Sequence, residues 1–303
     1  GMPWNWETFP EYLDAVERTP KGVNILPYMP TGPLMIYAMG LDRAKAGEKP
    51  TKDETALMCH LMEEALDAGA CGWSAQRAHP DGVAAVQLDY DGTPMVTDVM
   101  HDETALAFAG VLGQRNDGFI QTMLTTSDVK KDRQHLEELA RVSRRPLIHN
   151  VVLPFDGRPH VHRKQLEWLD SCHQRGLRVY GQGVTTDAGF TFTFDEWNMF
   201  DDSPAWREAT TGTVEERRRK LADPALREGM KRHPPMIATG PIEGIVVVGP
   251  QSDATRQWLD HRIDLVAEKT GKHPVDAMLD IALADDLKTE FYVAPTNTRL
   301  DLT

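Results

Sequence analysis

Short apolar segments alternate with amphipathic helical segments along the first part of the chain, and no other feature constrains the fold as strongly. Such alternation predicts a parallel sheet, because parallel strands must be joined by a crossover that is usually a helix. The segments with strand character cover residues 23–28, 70–75, 118–124, 147–153 and 177–184. The helical segments cover residues 9–16, 51–69, 102–115, 132–142 and 162–174.

The helix at 51–69 carries the clearest boundary signals. Thr51 and Glu54 have the spacing of a capping box, in which each side chain accepts a hydrogen bond from the other residue's backbone. Gly69 follows the last turn, where a glycine commonly ends a helix.

Two sheet architectures fit this order of strands and helices, a (β/α) barrel and an open doubly wound sheet. No Gly-x-Gly-x-x-Gly sequence follows the first predicted strands, and no P-loop sequence occurs in the chain. Both are signatures of nucleotide-binding sheets. We therefore expect an α/β fold of the TIM-type (β/α) barrel class.

The regular alternation of predicted strands and helices ends after residue 184. A short alternating strand is predicted at 190–194, followed by a polar helical stretch to about residue 232, a strand at 245–249 and two helices at 257–270 and 275–284. No Ser/Gly-rich linker separates these segments from the rest. The pattern therefore predicts one domain over residues 1–303, with an irregular and helical insertion at about 185–244.

Composition excludes several classes of function. The net charge of −13 disfavours nucleic acid and anionic membrane surfaces as partners, and no apolar run is long enough to span a bilayer. Cys59, Cys71 and Cys172 are few, odd in number and without the spacing of metal ligands. Free thiols in a reducing compartment, and hence a cytoplasmic location, are expected.

His149 is the first candidate for a functional residue. It lies in the apolar run 147–153, where Leu147, His149 and Val151 are expected on one face and Ile148, Asn150 and Val152 on the other. A polar residue near the carboxyl end of a parallel strand lies where α/β folds place their active sites. A core histidine bonded to a neighbour is an equal alternative.

With these elements assigned, the chain resembles the N-acyl-D-amino-acid deacylase (D-aminoacylase-like) branch of the amidohydrolase superfamily. The resemblance rests on four segments in shared order, which are Trp4–Leu13, Tyr37–Gly40, Glu63–Ser74 with the nearby Arg77, and Asp280–Phe291. It implies a metal-bearing barrel that hydrolyses amide or related C–N bonds of small molecules, with zinc as the expected cofactor.

Two departures from the family pattern limit this resemblance. The family's first-strand His-x-His pair would precede Trp4, and its Asp in a Ser-Asp-Gly-type strand end would follow Thr303. The chain therefore resembles the central portion only, a partial barrel that lacks the first and last barrel strands. We expect it to be inactive alone.

The resemblance also suggests roles for two strand residues. His149 matches a strand histidine that binds metal in this branch, and is our candidate metal ligand. Gln182 lies where better-known members have a second metal histidine. Because glutamine is a poor zinc ligand, a reduced or metal-free site is an open alternative. A structural amide is the alternative role for Gln182.

Polar residues at or just past strand ends are the candidate substrate-binding residues, namely Ser74, Arg77, Gln121, Asn150 and Gln182. Arg77 could clamp a substrate carboxylate through a bidentate pair, or form an ion pair with a nearby carboxylate such as Asp81. No catalytic residue can be assigned, because Ser74 lacks a Gly-x-Ser-x-Gly context.

The remaining histidines are expected to be solvated. His160 and His162 imitate a metal-binding pair, but they follow a loop and lead into a helix, so we expect an exposed helix start. His79, His101 and His135 are assigned to loops or helix surfaces.

Two other functions remain open, a non-catalytic small-molecule binding or assembly domain on a metal-free barrel, and a metal-free lyase that uses His149 as general acid or base. A partial barrel also leaves sheet edges unpaired, and such edges promote association. We expect a homo-oligomer, or an edge covered by residues 2–20 or the segment around Phe190.

Overall fold

The structure, a computed structural model, describes residues 4–78, 89, 93–125, 128–156, 158, 160–184, 186–187, 189–196, 200, 203–234, 241–295 and 297–298. The chain divides into two compact units. The first comprises Gly1–Val86, Pro94–Val152 and His162–Gly183, and the second comprises Gln87–Thr93, Leu153–Val161 and Val184–Thr303. A single domain with an insertion at about 185–244 stays a prediction.

The first unit is built on a five-stranded parallel sheet in the order β1-β2-β3-β4-β5. Its elements in chain order are α1 (Phe9–Arg18), β1 (Met29–Pro30), α2 (Thr31–Met39), α3 (Leu41–Lys45), α4 (Lys52–Ala68), β2 (Gly72–Ala78), α5 (Asp102–Arg115), β3 (Phe119–Thr125), α6 (Val129–Ser143), β4 (Leu147–Val152), α7 (Val161–Gln174) and β5 (Val179–Gly183). The predicted α/β fold with parallel strands and alternating helices is confirmed, and it is that of a partial TIM-type barrel.

The predicted strand at 23–28 is wrong. The strand in this region is the two-residue β1, and Val23 and Leu26 are 73% and 66% exposed. Pro27 lacks a backbone donor, so this segment cannot supply a full ladder of hydrogen bonds. The pattern of apolar residues does not show that this segment lacks a strand. The same pattern did not predict α2 and α3.

One face of the sheet is buried by a row of side chains in register. Trp73, Ile120, Leu147 and Val179 are paired neighbours on β2 to β5, and each is 0% exposed. Trp73 packs edge-on against Phe108 of α5, with ring centroids 6.1 Å apart. Helix residues complete this hydrophobic core. The helices therefore cover this face of the sheet.

The capping signals of α4 are confirmed. Thr51 Oγ1 accepts from the Glu54 backbone N–H at 3.2 Å, and Glu54 Oε2 accepts from the Thr51 backbone N–H at 2.7 Å. Gly69 adopts a left-handed conformation with φ of 117°. These local bonds fix both ends of the helix that leads into β2.

The second unit combines helices with a small antiparallel sheet in the order β6-β8-β7. Its elements are β6 (Phe190–Phe192), α8 (Pro204–Thr210), α9 (Val214–Ala222), α10 (Pro224–Arg232), a 3₁₀ turn at Ile242–Gly244, β7 (Val246–Gly249), α11 (Asp253–Arg256), α12 (Ile263–Thr270), α13 (Pro274–Ala284) and β8 (Glu290–Val293). The helix predicted at 257–270 starts only at Ile263, because an isolated bridge joins Arg262 to Val246. The central strand β8 was not predicted.

The composition predicts that the chain has no membrane-spanning segment and that its cysteines are free thiols. Within the described part of the chain, no helix is both long and apolar enough to cross a membrane. Cys59, Cys71 and Cys172 are free thiols. The cytoplasmic location stays a prediction.

Gly72 should be irreplaceable at the start of β2. Its φ is +134°, and a Cβ there would lie 1.8 Å from the carbonyl oxygen of Phe119. We expect Gly72→Ala to lower the free energy of unfolding by about 3 kcal/mol or more, because it adds backbone strain to a clash with the neighbouring strand. Urea unfolding followed by circular dichroism would measure this.

Gly110 provides the matched control. It lies inside α5, and a Cβ there meets no atom within 4 Å. Gly110→Ala should raise the free energy of unfolding by about 0.5–1 kcal/mol, because alanine is the better helix former. Equal effects of the two substitutions would contradict the close approach of β2 and β3.

Candidate functional site

The face of the sheet opposite the helix-packed row carries polar side chains. Ser74, Gln121, Ile148 and Tyr180 are paired neighbours across β2 to β5, and Asn150 pairs with Gln182 further along β4 and β5. These residues are partly or fully exposed, whereas those of the helix-packed row are buried. We call this surface the open face. Ser74 and Gln121 are the third residues of β2 and β3, so the expectation that they lie at strand ends is wrong. Asn150 and Gln182 lie nearer the carboxyl ends of β4 and β5, the end at which (β/α) barrels bind their substrates.

A chain of hydrogen bonds joins three of the predicted site residues on the open face. Gln121 Nε2 donates to Gln182 Oε1 at 2.8 Å, across the intervening strand β4. Ser74 Oγ donates to Gln121 Oε1 at 3.5 Å. The structure therefore brings Ser74, Gln121 and Gln182 together, with Asn150 in register beside Gln182. Their role in substrate binding stays a prediction.

His149 lies on the helix-packed face, away from this polar chain. It is paired with Thr122 and Gly181, is 9% exposed, and meets the Trp168 ring of α7 edge-on at 5.5 Å between centroids. Its Nδ1 is buried, with no hydrogen-bond partner among the described residues. Burial, and then the nearby Arg133 guanidinium, lower the pKa of His149. Metal binding by His149 stays a prediction.

The faces of β4 differ from the expected alternation near its end. The ladder between β4 and β5 shifts register between Asn150 and Val152. As a result, Val152 is buried near Leu169 of α7, on the helix side, and does not share a face with Asn150. An irregularity of this kind re-aims side chains and has no marker in the apolar pattern.

Arg77 belongs to a buried network between β2, α5 and α6. Arg77 is 5% exposed, and its Nη2 donates to the Met100 carbonyl and to Asp102 Oδ1, both at 2.7 Å. Its Nη1 lies 2.9 Å from His135 Nε2. Asp81, the expected carboxylate partner, lies outside the described residues. The ion-pair alternative is thus realised with Asp102, because a buried guanidinium needs a charged partner.

The expectation that His135 is solvated is wrong. His135 is 7% exposed, and because a guanidinium can only donate, its Nε2 accepts from Arg77. The imidazole is therefore neutral, with its proton on Nδ1. Burial is the main cause that lowers its pKa, the nearby Arg77 lowers it further, and Asp102, Glu138 and Asp132 oppose this. The pKa of Asp102 is lowered overall. Burial raises this pKa, but the hydrogen bond from Arg77 and nearby positive charges together more than compensate for it.

Two further histidines differ from expectation. His101 is half-buried, with its Nε2 2.9 Å from the Gly47 carbonyl oxygen. His162 is a buried residue of α7, whereas His160 is exposed in a turn. His79 lies outside the described residues. Sequence reasoning missed these positions because helix spacing does not show which polar residue the next helix will cover.

No metal centre is assembled by the residues that the structure describes. They include no group of three or more His, Cys, Asp or Glu side chains placed to hold an ion. Zinc in proteins is bound by such side chains, typically three or four together.

The buried His135 should make folding stability depend on pH. Because its pKa lies below the ordinary 6.5, the unfolded chain binds a proton more readily than the folded chain does. The contribution of neutral His135 to folding stability is complete above the pKa of His135 in the unfolded chain. This contribution is lost as the pH falls towards the lower pKa of His135 in the folded chain. We expect His135→Gln to reduce the loss of stability between about pH 7.5 and 5.5, measured by urea unfolding.

His60 supplies the control, since it is exposed on α4. His60→Gln should leave the pH dependence of the unmodified protein in place. If His135→Gln and His60→Gln have the same pH profile, the buried neutral state of His135 is excluded.

The chain is similar to proteins known from sequence. Uncharacterized proteins of Mycobacterium tuberculosis and Mycobacterium bovis are each 24% identical over 302 aligned residues, which cover 91% of this chain and 46% of the relative. The chain thus spans about half the length of the curated relatives it matches. No family model matches the chain.

Solved structures share its fold. N-acyl-D-glutamate deacylase from Bordetella bronchiseptica, solved with zinc and a phosphonate inhibitor, is 15% identical with a TM-score of 0.50, covering 95% of this chain and 47% of the deacylase. A D-aminoacylase described as defining a novel subset of amidohydrolases is 14% identical with a TM-score of 0.50, covering 97% and 48%. The chain therefore has the fold of the central portion of a D-aminoacylase-type amidohydrolase.

Proposed function

We propose that this chain is the central part of a longer metal-dependent amidohydrolase that hydrolyses the amide C–N bond of an N-acyl-D-amino acid or a similar small molecule. The fold shared with the zinc-bound deacylase over 95% of the chain is the observation that carries this proposal. The half-length match supports the view that other parts of the barrel complete the active site. We propose that the chain alone is inactive.

The open face would hold the substrate. Gln182 uses its Oε1 to accept from Gln121, and among the described residues no hydrogen bond engages its Nε2. That amide can therefore donate to a carbonyl or carboxylate oxygen of a ligand. Ser74, Gln121 and Asn150 would orient the same ligand from neighbouring strands.

Arg77 fits a positioning role better than the carboxylate clamp suggested by its residue type. Both of its Nη atoms are engaged by Met100, Asp102 and His135, and the side chain is buried. It ties the start of α5 and the body of α6 to the carboxyl end of β2. That end of the sheet is where barrel loops build active sites.

A second candidate function is a non-catalytic binding or assembly domain on a metal-free barrel. The open face favours it in one respect, because its polar side chains are hydroxyl and amide groups that recognise ligands without supplying acid–base chemistry. Turnover of an amide by the longer protein separates the two candidates.

The experiment is an assay of N-acyl-D-amino acid hydrolysis with zinc present, for the longer protein and for the 303-residue chain. We expect turnover by the longer protein and none by the chain. In the longer protein, Gln182→Ala should raise KM about fivefold, which corresponds to a lost hydrogen bond of ~1 kcal/mol.

Gln174→Ala is the matched control, because Gln174 is an exposed residue of α7 that bonds only to Asp170 among the described residues. It should leave KM unchanged. Robust turnover by the chain alone would refute its proposed incompleteness, and a longer protein without amide turnover would leave the binding-domain candidate.

We also propose that the chain forms a homo-oligomer. Within the described sheet β1 is paired only with β2, and β5 only with β4, so each edge strand has one paired side. Unpaired edges promote association. Light scattering should give a mass of at least twice 33.9 kDa, and a monomer mass would exclude this proposal.

A further inference from the structure

The strands that form the open face carry almost no residue type that binds zinc. Strands β2, β3, β4 and β5 read GWSAQRA, FIQTMLT, LIHNVV and VYGQG. They contain no Asp, Glu or Cys, and their one imidazole belongs to His149. Imidazole, thiolate and carboxylate groups are the side chains that bind zinc in proteins.

The orientation of His149 removes this imidazole from the open face. Its neighbours in register are Thr122 and Gly181, and a Cβ at Gly181 would lie 2.7 Å from Leu169 of α7. This row therefore faces the helices. A metal-binding histidine normally donates its second ring N–H to a carboxylate, carbonyl or water. The buried Nδ1 of His149 has no partner among the described residues, and Trp168 packs against the ring.

Side chains of the open face instead bond to one another. The bond of 2.8 Å from Gln121 to Gln182 spans β4 and occupies the space between these two side chains. Amide oxygens are weak ligands for zinc, whereas amides bond well to carbonyl, carboxylate and hydroxyl groups.

From this donor set and geometry we infer that the open face of β2 to β5 is a metal-free surface, which holds its ligand through Ser74, Gln121 and Gln182, and that His149 is a packing residue and not a metal ligand. Any metal used by the longer protein is then held by residues outside these four strands. This departs from the metal ligand expected at His149 by family resemblance. It does not depend on the proposed hydrolysis.

The test is zinc binding by the full chain, measured by equilibrium dialysis with metal analysis and by ¹⁵N chemical shifts of the histidine rings. We expect no shift of the His149 ring nitrogens on addition of Zn²⁺. The zinc content should be the same for the unmodified chain, His149→Gln and Gln182→Ala. Gln182→Ala changes an exposed side chain, so it remains informative if the buried His149→Gln variant does not fold.

The double variant Gln121→His, Gln182→His is the positive control. It places two imidazoles where two amides now meet, and should raise zinc affinity at least about 10-fold, or ~1.4 kcal/mol. Zinc uptake that neither single variant alters lies away from the sheet and supports the inference. Zinc that shifts the His149 nitrogens, or that binds at least about 10-fold more weakly after His149→Gln or Gln182→Ala, overturns it. Neither readout needs turnover, so this test and the hydrolysis assay can fail independently.

Discussion

Burial of one face of the parallel sheet under helices is the constraint on which the rest of the first unit depends. Trp73, Ile120, Leu147 and Val179 form a row of fully buried side chains across four strands. Because side chains alternate along a strand, fixing this row also fixes which residues face the other way. Ser74, Gln121 and Gln182 reach one another only because that register is set by the apolar row.

The same face accounts for the buried polar groups. Arg77 and His149 extend from the helix-packed side, so each must be accommodated in a largely apolar layer. Arg77 does so through Asp102, His135 and the Met100 carbonyl, which satisfy its Nη atoms and hold two helices at the end of β2. His149 is accommodated in this layer as a neutral imidazole that packs against Trp168. A buried charge requires partners, whereas a neutral imidazole requires far less.

The proposed function depends on which chemical groups reach the open face. A shared fold with metal-bound deacylases does not by itself transfer their chemistry, since function depends on the site and not on the scaffold. In this chain the site strands present hydroxyl and amide groups, which can orient an amide or carboxylate ligand but cannot activate water in the way a metal does. We propose that the open face binds the ligand and that any metal is held by other parts of a longer protein. This proposal is consistent with the fold and with the hydroxyl and amide groups of the open face.

The sequence by itself determined the parallel α/β class, most helix and strand positions, the caps of α4 and which polar residues lie on the strands of the sheet. These depend on local spacing and on hydrogen bonds between residues close in the chain. Only the tertiary structure decided that residues 23–28 form no strand, that His135 is buried against Arg77, and that His149 faces α7 while Gln121 meets Gln182. The Arg77–His135 contact joins residues that are 58 positions apart in the sequence, and the Gln121–Gln182 bond joins residues that are 61 positions apart. A local sequence pattern encodes neither these contacts nor the register shift in β4.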